Sequence, residues 1–220
     1  ALSLEQRLLA SMHEVEERER ETLSRLARAI ELRDTGTSAY LERMARIAGL
    51  IAEALGLTED QVRVIELAAP LHDIGKIAIP DALLMKPGAL DADERRKMQT
   101  HPKIGYDLLQ DSQNRFIQAG ARIALHHHER YDGTGYPDGL AGEAIPIEAR
   151  VVTTADVFDA LISPRPYKPA WSIAEALEYL REQSGKLFDP ACVDALFREE
   201  ARLREICAAT AAPARTPWAQ

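Results

Sequence analysis

Residues 126–139, HHHERYDGTGYPDG, crowd three adjacent imidazoles, carboxylates and a Gly-rich turn stiffened by Pro137 into fourteen positions. Neither core packing nor a solvated face calls for such a run, which reads as one wall of a metal site facing a phosphate. Of the six histidines, His72, His101, His126, His127 and His128 all lie between positions 72 and 128, and only His13 stands apart, in a charged helix. Neutral imidazole with carboxylate suits iron, manganese or zinc, whereas calcium and magnesium take oxygen ligands almost throughout.

His72 and Asp73 are neighbours at a helix end, where successive side chains point about 100° apart. Such a pair chelates one ion poorly, but its carboxylate can bridge two. Asp156 and Asp159 lie one turn apart in VVTTADVFDAL, an apolar setting in which carboxylates need cations close by. Lys76, four residues after His72, brings a cation to these ligands that can neutralise a phosphate oxygen as charge develops, and Gly75 lets backbone approach closely. Arg165 and Lys168, set among Pro164, Pro166 and Pro169, add two more positive groups, although composition alone fits ordinary surface cations equally well.

Helices must position these groups, because period-two alternation is nearly absent. Residues 3–32 predict one long charged helix with a narrow apolar seam at Leu8, Met12, Val15, Thr22, Leu26 and Ala29. That seam either pairs with a second helix or docks on the chain's own core. The pattern breaks at 33–37, and a helix over about 39–55 follows, with Met44, Ile47, Ile51 and Leu55 on one face and Gly56 closing it. Thr58 with Gln61 forms a capping box opening a helix that runs into Leu71, Asp91 with Glu94 forms another, and Ser172 with Glu175 a third. Pro102 begins a helix directly after His101, residues 117–125 lead into the His run, Pro146 opens a helix through Leu161, and Pro190 starts the last, to about Glu205. The predicted fold is all-α: a single helical bundle preceded by a long helix. Its expected organisation is 1–32 as a signalling and dimerisation helix, 33–207 as the catalytic-type domain and 208–220 as a loose Ala/Pro-rich tail.

A formal net charge of −8 argues against nucleic-acid partners and anionic membranes, so an anionic substrate must be drawn by local cations or metals. No apolar run approaches the ~20 residues that span a bilayer. Cys192 and Cys207 lie far from every motif and fit free thiols of a cytoplasmic protein. Since the first residue is Ala, the chain is expected to be a fragment of a longer protein.

Taken together, HDIGKIAIPD at 72–81, KPGAL at 86–90, His101, HHERYDGTGYP at 127–137 and DVFDAL at 156–161 followed by RPYK resemble an HD-GYP domain over about residues 25–205. This is the branch of the HD metal-phosphohydrolase superfamily associated with hydrolysis of cyclic di-GMP. The resemblance implies metal ligation by His72, Asp73, His101, His127, His128 and Asp156, with Asp73 bridging. It implies substrate contacts at Lys76, Tyr136, Asp159, Arg165 and Lys168, with Asp73 and Lys76 catalytic, and leaves His126 just outside the set. Two divalent ions, iron or manganese, would support hydrolysis to pGpG or GMP. An upstream sensory or receiver domain would signal through the first helix of a homodimer.

One departure bears on activity. The family's RD-P-E-T-G-x-H becomes residues 33–40 here, so its Glu is Gly36 and its His is Tyr40. A third metal at that position is not expected. Tyr40 either ligates as a phenolate, leaves a position to water, or only packs. Two readings follow: a phosphodiesterase, or a degenerate receptor that binds cyclic di-GMP without turning it over. The GYP turn with Arg165 and Lys168 argues against the superfamily's nucleotide phosphohydrolases and its di-iron oxygenase.

Overall fold

The fold was analysed in a computed structural model that describes residues 3–34, 39–164 and 169–210. Among these residues every extended element is helical, and the only β features are two isolated bridges, Asp132 with Ala141 and Ser184 with Phe188. The helices are α1 (Leu4–Asp34), α2 (Ala39–Ala54), α3 (Glu59–Ala68), α4 (Asp81–Leu84), α5 (Ala92–Met98), α6 (His101–Leu109), α7 (Arg115–His126), α8 (Ile147–Ile162), α9 (Ile173–Glu182), α10 (Pro190–Arg198) and α11 (Glu200–Ala209). No helix among the described residues is long and apolar enough to cross a membrane.

All three predicted capping boxes form, at Thr58, Asp91 and Ser172. Asn114 adds a cap, its side-chain oxygen accepting from the amides of Phe116 and Ile117, and so fixes where α7 begins. Two boundaries differ from expectation. The helix predicted to run into Leu71 stops at Ala68 and passes into a 3-10 turn, Ala69–Leu71, because Pro70 has no N–H to continue an α-helical ladder. The last helix is two helices, broken at Glu199 (φ −102, ψ 20), and no residue type in the sequence marks that break.

The core is built around α2, whose Met44, Ile47, Ala48, Ile51 and Ala52 are wholly buried. This helix packs against α3, α8, α10 and α11, and α7 packs against α3, α6 and α8. Its stripe is broad because α2 is enclosed on most sides, with Glu42, Arg46 and Glu53 left on its exposed face.

The first helix docks by a stripe other than the predicted seam. Leu23 and Ala27 are buried on α3 and the adjacent 3-10 turns, and Asn114 donates to Glu19 at 2.9 Å. Leu8 and Val15 on the seam remain 61% and 52% exposed, as does Leu4 beyond it, so docking on the chain's own core does not use the seam.

Candidate metal centre

The two 3-10 turns, Ala69–Leu71 and Ile74–Ala78, leave His72 and Asp73 at a break between them, with Asp73 at φ −100, ψ 11. The break frees the neighbouring side chains from helical divergence and turns both inward. Gly75 then decides what they meet. A Cβ there would lie 1.9 Å from the His101 carbonyl oxygen and 2.6 Å from the Gly105 nitrogen, so only glycine lets the second turn lie flat on the start of α6. At Gly120 on α7 a Cβ would stand 2.6 Å from Leu71 Cδ1, so its absence leaves room for that buried side chain. His101 opens α6 and His127 caps the end of α7, so these close approaches bring three elements to one point.

Imidazole orientation is set from behind. Nδ1 of His72 donates to the Ala69 carbonyl at 2.9 Å, that of His101 to Met98 at 2.7 Å, and that of His127 to Ala124 at 3.0 Å. A carbonyl only accepts, so each Nδ1 carries the proton and each Nε2 lone pair faces the centre. These lone pairs converge on one carboxylate. Asp73 Oδ1 stands 3.2 Å from His101 Nε2 and 3.5 Å from His127 Nε2, while Oδ2 stands 3.2 Å from His72 Nε2. His72 Nε2 is also 3.8 Å from Asp156 Oδ1.

These groups fit a metal. His72 Nε2 and Asp73 Oδ1 are buried atoms without a hydrogen-bond partner, a costly arrangement unless a cation completes it. One potential ligand atom from each of Asp73, His101, His127 and His128 lies within 4.8 Å of the others. Burial pushes His127 down to about 4 and His128 well below the usual imidazole range, keeping both neutral as ligation requires. Burial opposes the charge on Asp73, yet Lys76 and the surrounding histidines hold its carboxyl well below the usual carboxylate range. The grouped donor atoms thus lie on the His101, His127 and His128 side of Asp73, while His72 and Asp156 face each other beside its other oxygen.

Lys76 lies beside this cluster, its Nζ 2.7 Å from Asp73 Oδ2. Tyr136 stacks on His128, with ring centroids 4.8 Å apart and planes at 19°. Burial, with Asp73 nearby, raises its hydroxyl to about 12, leaving a neutral phenol able to donate. Arg165, Lys168 and Gly36 lie outside the described residues. Tyr40 is half-buried and packs against the core.

Asp159 departs from expectation. It is wholly buried and gripped by Arg43, whose Nε and Nη2 both donate to it, the second at 2.9 Å, while Nη2 also reaches Ser163 at 2.6 Å. That carboxylate has no exposed atom in this structure, and its pairing with Arg43 ties α8 to α2 one turn beyond Asp156. Arg43 and Glu129 are the residues that motif reading missed. Glu129 is 2% exposed and accepts amides from Asp138, Gly139 and Leu140 at 2.8 to 3.1 Å, folding the GYP loop back on itself. Gly135 permits that closure, since a Cβ would lie 2.4 Å from the Arg130 nitrogen.

Comparisons with known proteins agree with this architecture. A family profile described as HD domain matches residues 24–192. The chain is 72% identical over 207 residues to the cyclic di-GMP phosphodiesterase response regulator RpfG of Xanthomonas campestris pv. campestris (strain 8004), covering 94% of this chain and 55% of that protein. It is 45% identical over 186 residues to a cyclic di-GMP phosphodiesterase of Thermotoga maritima, covering 84% of this chain and 50% of the other. The chain thus spans about half the length of these curated relatives. Among solved structures, a cyclic GMP-AMP specific phosphodiesterase of V. cholerae, V-cGAP3, superposes with a TM-score of 0.64 at 22% identity, over 88% of this chain and 51% of that one. The PgpH HD domain of L. monocytogenes superposes at 0.52 with 17% identity, over 89% and 99%. At these identities the structural likeness speaks to fold alone.

Proposed function

This chain belongs to the HD-domain family, and from that premise we propose that it is the output domain of a signalling protein, hydrolysing cyclic di-GMP to pGpG or GMP. The observation that carries the reading is the intact cluster around Asp73 in a chain 72% identical to a protein named for that reaction. Two divalent ions, iron or manganese, are proposed for the two positions that share Asp73. Bound there, such ions supply charge for the phosphate oxygens and acidify water, the chemistry of phosphodiester hydrolysis.

The chain's own groups orient and neutralise. Asp73 presents one oxygen to each position, and His72 with Asp156 and His101 with His127 and His128 fill the flanks. Lys76 Nζ, held by Asp73, offers a charge to a phosphate oxygen as negative charge builds up. The Tyr136 phenol stays protonated near neutral pH and can donate to the substrate from its stack on His128. Arg165 and Lys168 are proposed to meet the second phosphate.

Purified protein supplied with Mn2+ or Fe2+ in reducing buffer is expected to release pGpG from cyclic di-GMP, followed by chromatography. Tight binding with no product after prolonged incubation would favour the receptor reading, which Gly36 and Tyr40 motivate. If position 40 borders the centre, Tyr40→His should raise metal affinity by roughly tenfold or more, and the rate with it. No change in either quantity would assign Tyr40 to packing alone.

The exposed seam of α1 supports a homodimer through this helix, fed by an upstream sensory or receiver domain. Leu8→Asp with Val15→Asp places charges on the proposed contact, at about 1.5–3 kcal/mol of lost burial for each apolar side chain. Sedimentation should show a dimer becoming a monomer. An unchanged mass would remove the seam from the interface. A reducing cytoplasm suits the free thiols Cys192 and Cys207.

A further inference from the structure

At the end of α7 and in the loop that follows lies a second set of side chains able to hold a metal: His126, Glu129 and Asp138. None of the three is among the residues proposed for hydrolysis. Glu129 is 2% exposed, yet among the described residues no lysine or arginine pairs with it, and three backbone amides are all it has. Its Oε2 accepts only the Leu140 amide, which leaves a lone pair unused. His126 Nδ1 is a buried atom with no hydrogen-bond partner. It stands 3.8 Å from Asp138 Oδ2, too far for a hydrogen bond. Two ligands about 2.1 Å from one ion at a tetrahedral angle stand about 3.4 Å apart, so the gap is close to what a shared ion requires.

We propose that His126 Nδ1, Glu129 and Asp138 form a further cation site that clasps the loop over 129–140 to the end of α7. The spread of its donor atoms, up to 4.8 Å, narrows by rotation of Asp138, whose side chain is 53% exposed. One imidazole with two carboxylates selects a transition ion such as Zn2+ or Mn2+ over calcium or magnesium. An ion there ties together residues flanking both His127 and Tyr136, so occupancy holds the loop that stacks on His128.

The test counts ions rather than product, and so stands whether or not cyclic di-GMP is the substrate. The wild-type chain, Asp138→Asn and His126→Gln are each equilibrated with Zn2+ and analysed for metal per chain, with affinity from competition against a chelator. Each variant is expected to bind one ion fewer than the wild type, and the same loss should recur when Asp138→Asn is added to Asp73→Asn. Zinc should also slow proteolysis within 129–140 by tenfold or more in the wild type but not in Asp138→Asn. Equal stoichiometry and affinity in wild type and Asp138→Asn, an exposed substitution that leaves the core alone, would reduce the trio to a His126–Asp138 ion pair and overturn the site.

Discussion

Asp73→Asn is expected to lower the proposed hydrolysis of cyclic di-GMP by at least ~10³-fold, with most of the bound metal lost. The substitution keeps the shape of the side chain and changes only its charge and one donor. That is enough, because both carboxylate oxygens are engaged, Oδ1 facing His101 and His127 and Oδ2 facing His72 and Lys76. An amide presents N–H groups that would hydrogen-bond the Nε2 lone pairs and so compete with a cation for them. Losing a shared ligand removes several kcal/mol of charge stabilisation, and each ~1.4 kcal/mol is a factor of ten in rate. The measurement pairs elemental analysis with product chromatography. Turnover within tenfold of wild type would mean that Asp73 does not join the two positions. Thermal stability serves as the control for a loss of fold rather than of metal.

How far the sequence anticipates this centre depends on what each residue's role leaves in the chain as a local mark. His127 and His128 stand side by side, His72 and Asp73 likewise, and Pro102 marks the helix start that presents His101, so types, adjacency and punctuation single them out. The bundle is equally legible, since capping boxes and the α2 stripe are local features of period about 3.6. Arg43 and Glu129 leave weaker marks. Arg43 sits four residues before Ile47 at the margin of the buried stripe of α2, and its partner is 116 positions away. Glu129 works through amides of the next turn, and backbone donors have no letter code. The resemblance puts Asp159 against substrate, yet one helical turn beyond Asp156 its side chain is rotated and translated into the grip of Arg43. The break of α3 at Ala68 was written in Pro70, whereas the break at Glu199 carries no such sign.

Arg43→Ala is expected to cost about 3–5 kcal/mol of stability, because it leaves the Asp159 carboxylate, with no solvent exposure, deprived of its cation. For a chain of this size about 2–4 °C of Tm accompanies each kcal/mol, so the melting point should fall by roughly 6–20 °C. Removing the charge alone is not the cause, which the double variant Arg43→Met with Asp159→Leu separates. Replacing both partners by apolar groups of similar volume takes away the buried charge along with its pair, and most of the stability should return. If single and double variants melt alike, lost packing rather than an orphaned carboxylate explains the fall. The double variant then isolates what the pair does for the centre. Arg43 ties α2 to α8 at Asp159 and Ser163, one turn past Asp156, and so sets the rotation of α8 that turns Asp156 toward His72. A protein with restored Tm but weakened metal binding at the His72 and Asp156 position would show a pair retained for orientation. Restored Tm with unchanged metal affinity would show that the packing of α8 orients Asp156 without it.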